Sequence, residues 1–109
     1  MNVPTNIEEK ITELEGKAWS PIDIAEVSEY VIRLALFLGE YHWHKHDNED
    51  ELFYVYKGEI KIKIRNQKSI IVKEGELFVV PKGIEHKPTS TKESYILLFE
   101  LSRLKSTGD

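Results

Sequence analysis

Residues 40–46 read Glu-Tyr-His-Trp-His-Lys-His, with a histidine at every second position. Successive side chains of an extended chain point to opposite faces, so the three imidazoles are expected on one face of a strand. The only other histidine is His86, which follows much later in the chain. Imidazole is the commonest metal-ligating side chain, and Glu51 offers a carboxylate nearby. The pattern predicts a mononuclear metal site inside a β structure.

The spacing around this stretch favours convergence on one ion. His44 and His46 are expected about 7 Å apart along the strand. The acidic turn at residues 47–50 sends the chain back, so that Glu51 begins a neighbouring strand opposite them. His86 must arrive from a distant part of the chain. Three nitrogens and one oxygen leave one or two positions open, which is typical of a catalytic or binding site rather than a closed structural one.

Composition excludes several classes of protein. The chain has 109 residues, a formal charge of −4 and no cysteine. One domain is expected, without disulfides, thiolate ligands or cysteine nucleophiles. No basic patch predicts a nucleic-acid partner, and the lysines and arginine of residues 57–68 fall largely on one solvated strand face. The longest apolar run, Leu34 to Leu38, is too short to span a membrane, and no signal peptide precedes it, so the cytoplasm is the expected location.

The remaining pattern predicts an all-β domain with one short N-terminal helix. Asn6 caps a helix over Ile7–Leu14, and eight or nine short strands follow, separated by turn signals. His42–His46 and Tyr30–Leu38 are two of these strands. The second is apolar on both faces, which predicts that something, such as a second copy of the chain, covers its outer side.

Two spaced motifs give a resemblance to a known family. The first is Gly39-x4-His44-x-His46-x4-Glu51-x6-Gly58, and the second is Gly75-x5-Pro81-x-Gly83-x2-His86. They resemble the two motifs of the cupins. The phrases framing them look like the small microbial cupins labelled mannose-6-phosphate isomerase-like.

The resemblance implies a jelly-roll β-barrel, a homodimer and a divalent transition metal ion. The implied ligands are His44, His46, Glu51 and His86, and the metal is zinc, nickel, iron, manganese or copper. One domain is expected over residues 1–109, with an N-terminal helix and arm (1–29), a barrel core (30–101) and a loose polar tail (102–109). Gly39 is one residue nearer the histidines than in the usual motif, and Ser90 replaces an asparagine that usually follows the last histidine.

Other assignments stay open at this stage. A shifted register would use His42, His44 and Glu49, but it finds Tyr56 where a turn needs glycine. In the favoured register, His42 and Phe53 are candidates for the wall of a substrate pocket. The expected function is a metal-dependent enzyme acting on a small organic molecule, of isomerase, decarboxylase or oxygenase type, with no catalytic residue assigned. The alternative is a non-catalytic module that binds a metal or a small molecule.

Overall fold

A computed structural model describes residues 3–105 and 107–109 of the chain. In chain order, the elements are α1 (Ile7–Glu13), β1 (Ile22–Val27), β2 (Tyr30–Glu40), β3 (Glu51–Lys57), β4 (Glu59–Ile64), β5 (Ile70–Lys73), β6 (Leu77–Val80) and β7 (His86–Leu101). The predicted all-β class with one short helix is confirmed, and the strands build the expected jelly-roll β-barrel. Within the described ranges, no helix has the length and apolar character needed to cross a bilayer.

The long last strand, β7, joins the two layers of the barrel. Along its C-terminal half it pairs with β2 on one side and β3 on the other, in the antiparallel order β1-β2-β7-β3-β6. Its N-terminal half pairs with β4, which in turn pairs with β5. Because one strand belongs to both layers, residues near His86 and residues near Leu101 face the same interior.

Alternating side chains fill the interior between the layers. Ile60, Ile62 and Ile64 of β4 are buried, as their alternation with basic residues predicts. They pack in one cluster with Phe53 of β3 and with side chains of β2, β6 and β7. The barrel core therefore reaches up to the start of β3, where Glu51 stands.

The N-terminal helix begins where the sequence predicts. The side chain of Asn6 accepts a hydrogen bond from the backbone N–H of Glu9 at 3.0 Å, which satisfies one of the free donors of the first turn. The buried Leu14, just after the helix, packs on Leu34 and Leu36 of β2. The chain's own N-terminal segment thus covers part of the outer face of the doubly apolar strand.

Four local expectations were wrong. Residues 42–46 do not form a strand, because the only ladder contact there is a single bridge between His44 and His86. β2 continues through Gly39 to Glu40, with a bulge after Phe37 absorbing the glycine. The last strand begins at His86, and the described residues hold seven strands rather than eight or nine. The tail is not loose throughout, since Leu104 is buried and Asp109 hydrogen-bonds to Lys45 and Asp47.

Candidate metal centre

The bridge between His44 and His86 assembles the first half of the site. The backbone N–H of His44 donates to the carbonyl of His86 at 3.0 Å, and the N–H of His86 donates back at 2.9 Å. This pair of bonds brings the start of β7 beside the irregular segment before β3. The two imidazole rings lie 4.3 Å apart between their centroids.

His46 and Glu51 complete a group of four. The carbonyl of His46 accepts from Gly83 at 2.7 Å, so the glycine turn after Pro81 holds that histidine in place. Glu51 is the first residue of β3 and pairs with Val80 of β6. One potential ligand atom from each of His44, His46, Glu51 and His86 lies within 4.8 Å of the others. The structure therefore brings together the four residues that the motifs nominate.

Two of the rings have a defined tautomer. His44 Nδ1 lies 3.1 Å from the carbonyl of His42, and His86 Nδ1 lies 2.9 Å from the carbonyl of Ile84. A carbonyl oxygen can only accept, so each Nδ1 carries the proton and each Nε2 keeps a free lone pair. Burial lowers the pKa of His44 to about 4, so this ring is neutral at neutral pH. Both features suit metal ligation, which needs a neutral imidazole nitrogen.

Unpartnered buried atoms test whether a metal ion fits. Glu51 Oε1 lies 3.3 Å from His46 Nε2 and 3.6 Å from His86 Nε2. All three atoms are buried, and none makes a hydrogen bond within the described residues. Buried polar atoms are seldom left without a partner. A cation among them would satisfy all three at once, so the residues fit a divalent metal.

A second carboxyl group stands behind Glu51. Glu100, on the inward face of β7, is 2% exposed, and its Oε1 accepts from Arg33 Nη1 at 2.7 Å. Its carboxyl group also lies next to that of Glu51. Burial, with the neighbouring charge of Glu51, raises the pKa of Glu100 to about 9 despite the guanidinium of Arg33. Burial opposes ionisation of Glu51, but the neighbouring His46, His86 and Glu100 side chains outweigh it and hold the pKa of Glu51 below its usual range.

The pair therefore shares one proton, with Glu100 as the neutral donor and Glu51 as the carboxylate. Arg33 continues the chain of contacts to Asp23 at 2.9 Å and to the carbonyls of Ser102 and Leu104. Sequence reasoning missed this network. The available signal was the parity of Glu100, which places a carboxyl on the same inward face as Ile96 and Leu98.

An apolar cavity of about 30 Å³ lies beside the four residues and touches His44 and Glu51. Four aromatic side chains form most of its wall, namely Trp19, Phe37, Tyr41 and Phe53. Ala35, Leu98 and two prolines complete the wall. Phe53 thus lies where its parity with Glu51 predicts.

His42 does not reach the cavity. Its ring is exposed, and its Nε2 lies 2.9 Å from the carbonyl of Thr107 in the C-terminal segment. The alternation argument fails for this residue because the segment is not a strand. The sequence did not identify three of the pocket residues, namely Trp19, Phe37 and Tyr41. Trp19 reaches the cavity from the arm between α1 and β1.

The motif positions Gly58 and Ser90 have structural roles. Gly58 has a φ of +98°, and a Cβ placed there would lie 2.2 Å from Ser94 Oγ. Ser90 Oγ hydrogen-bonds to Ser94 Oγ at 2.9 Å and to the carbonyl of Glu59 at 3.0 Å. Ser90 therefore braces the turn between β3 and β4, where the usual motif has asparagine.

Comparison with known proteins agrees with this fold and group of residues. Residues 39–100 match the family model described as the cupin domain, Cupin_2. The chain belongs to the cupin family. This match supports a small cupin and does not extend to the mannose-6-phosphate isomerase-like subgroup.

Three similar proteins illustrate the range of the family. A cupin-2 domain protein from Shewanella frigidimarina NCIMB 400 has a crystal structure that superposes with a TM-score of 0.84 at 38% identity, covering 88% of this chain and 92% of that one. The uncharacterised protein YdbB of Bacillus subtilis strain 168 is 40% identical over 62% of this chain. A 3-hydroxyanthranilate 3,4-dioxygenase from Xenopus tropicalis is 30% identical over the whole chain. The chain spans 59% of the length of YdbB and 41% of the length of that dioxygenase.

Proposed function

We propose that this protein is a metal-dependent enzyme of oxygenase type that acts on a small organic molecule. The observation that carries the proposal is the convergence of four ligand atoms within 4.8 Å beside an apolar cavity. Similarity to a 3-hydroxyanthranilate 3,4-dioxygenase favours the oxygenase type over the isomerase and decarboxylase types. A bound transition metal would supply a redox-active Lewis acid with open positions.

The proposed ligands are His44, His46, Glu51 and His86. The imidazoles of His44 and His86 would present Nε2, and Glu51 would present a carboxylate oxygen, with Glu100 behind it. Nitrogen and oxygen ligands of this kind suit iron, manganese, nickel, copper or zinc. The aromatic wall would face the apolar part of a substrate.

A non-catalytic binding module is the second candidate. The composition of the cavity wall favours it. Among the described residues that line the cavity, His44 supplies the only imidazole and Glu51 the only carboxyl group. No separate pair is therefore available for proton transfer. An enzyme would have to use the ligands themselves or the Tyr41 hydroxyl as proton carriers.

Elemental analysis of purified variants tests the ligand set. His46→Ala should lose stoichiometric metal, while His42→Ala, a change of the same kind in the same segment, should keep it. Equal metal content in the two variants would exclude the proposed set. Oxygen uptake by the iron-loaded protein with sugars, keto acids and catechols then separates the two functions, because only an enzyme consumes oxygen with formation of product.

Two broader properties are also proposals. A homodimer is supported by an exposed apolar face on the outer side of the sheet, where the stacked rings of Tyr30 and Phe99 lie beside Val79 and Leu77. A second copy would cover this face, and Phe99→Glu should lower the mass measured by light scattering. A cytoplasmic location is supported by the absence of cysteine from the whole sequence.

A further inference from the structure

The cavity beside the metal centre has an unusual balance of charge. It contacts Glu51 and the neutral ring of His44, but it contacts no lysine or arginine of residues 3–105 and 107–109. A metal ion held by the four residues would take an oxygen of the bound molecule, so a carboxylate or phosphate on the side away from the metal would be desolvated against the aromatic wall without a lysine or arginine to pair with. Flat aromatic faces of Phe37, Tyr41 and Phe53 are offered instead.

Trp19 lines this cavity from the arm between α1 and β1. Its indole lies 4.4 Å from the ring of Phe37 and 4.9 Å from the ring of Tyr41, measured between centroids. Its backbone N–H donates to Leu36 and its Nε1–H to Leu38, both at 2.9 Å. The residue follows the single bridge between Ala18 and Leu36 and lies outside the named strands, so a movement of the indole would break its hydrogen bond to Leu38 but no pairing between those strands.

The cavity as it stands is too small for an aromatic ring. Its volume of about 30 Å³ has room for one or two water molecules, whereas a cavity that binds benzene is on the order of 150 Å³. Trp19 also has a φ of +60°, a left-handed conformation that bulky side chains rarely take. A larger ligand would therefore require a wall residue to move, and Trp19 is the wall residue with a strained backbone conformation.

We propose that the cavity binds the uncharged aromatic part of a phenol- or catechol-like substrate, and that Trp19 determines the size of ring admitted. This inference rests on the proposed function, because it names the substrate class of the same site. It also separates the protein from its dioxygenase relative, whose named substrate, 3-hydroxyanthranilate, carries a carboxylate. The hydroxyl group of the bound molecule faces the four metal-binding residues. Its ring lies against the aromatic wall.

Binding is measured on zinc-loaded protein, because zinc is redox-inactive and permits no oxidation. The variant Trp43→Phe leaves Trp19 as the only tryptophan, since Trp43 lies apart, stacked on Arg65 at 4.2 Å. Catechol and 4-methylcatechol should change the Trp19 fluorescence saturably. The anion 3,4-dihydroxybenzoate should bind at least about tenfold more weakly, because its charge is buried without a partner. Equal affinity for the anion and 4-methylcatechol would overturn the inference, as would no saturable binding of either neutral catechol.

The size limit is tested by calorimetry with a two-ring ligand. The parent protein should prefer catechol over 2,3-dihydroxynaphthalene by about tenfold or more, and Trp19→Gly, which suits a positive φ, should bring the ratio near one. Trp43→Phe is the matched control and should keep the parent ratio. If Trp19→Gly does not fold, Trp19→Phe retains an aromatic cover and should give an intermediate ratio. An unchanged ratio in the folded variant refutes the role of Trp19.

The two proposals fail in different ways. Saturable catechol binding without oxygen uptake by the iron-loaded protein would refute the proposed oxygenase function but support the proposed class of bound molecule. If the protein instead turned over 3,4-dihydroxybenzoate and bound it as tightly as 4-methylcatechol, the oxygenase function would be supported and the proposed preference for an uncharged ring would be refuted.

Discussion

Replacing Glu100 by glutamine should change how the stability of the metal-free protein depends on pH. Burial raises the pKa of Glu100 from 4.5 to about 9, so between these values the folded state holds a proton that the unfolded chain has released. The free energy of unfolding must then fall as pH rises, by about 1.4 kcal/mol per pH unit. From pH 7 to 8.5, this one group should cost the wild type about 2 kcal/mol.

Glutamine reproduces the contacts without the proton equilibrium. Its amide N–H can donate to Glu51, and its oxygen can accept from Arg33, as the neutral acid does. Glu100→Gln should therefore remove this part of the pH slope. The window avoids His44, whose lowered pKa of about 4 makes the ring largely neutral in both states above about pH 7.

Urea denaturation of chelator-treated protein at several pH values in this window measures the slope. Glu93→Gln, a change of the same kind at an exposed position of the same strand, is the control and should behave as wild type. If wild type and Glu100→Gln lose stability in parallel as pH rises, Glu100 does not hold the proton, and our account of the carboxyl pair fails.

Three further predictions concern the frame around the site. Gly58→Ala should destabilise the fold by several kcal/mol in urea denaturation, because the added Cβ would lie 2.2 Å from Ser94 Oγ. Gly39 also has a positive φ, but no atom lies within 4 Å of a Cβ added there. Gly39→Ala should therefore cost only about 1–2 kcal/mol. Leu14→Ala should cost about 2–5 kcal/mol by emptying the contact between the helix and β2, and a loss below 1 kcal/mol would show that the helix is not needed to cover the sheet. The lowered pKa of His44 should make stability fall at acid pH, because between about pH 6.5 and 4 the unfolded chain binds a proton at this residue and the folded protein does not. The free energy of unfolding should fall by up to about 1 kcal/mol per pH unit, a value reduced for the solvent contact of the half-buried ring. His44→Gln should remove this slope, and an unchanged slope would assign the acid sensitivity to other groups.

Local pattern was sufficient for most of the secondary structure. Alternation in β4 placed its isoleucines inside, and the capping residue Asn6 placed the helix start. Each of these features depends on neighbours a few residues away, which sequence periodicity records directly. Where a segment has no regular partner, periodicity misleads, as it did for His42, whose ring is exposed although it alternates with His44.

The sequence by itself determined the fold class and nominated the four clustered residues, because motif spacing records the turns on either side of Glu51 and His86. Tertiary structure alone decided what surrounds them. Trp19 and Glu100 reach the site from opposite ends of the chain, one on the arm after the helix and the other at the end of β7. Their positions depend on strand register and on packing between distant segments, which no local pattern of residues encodes.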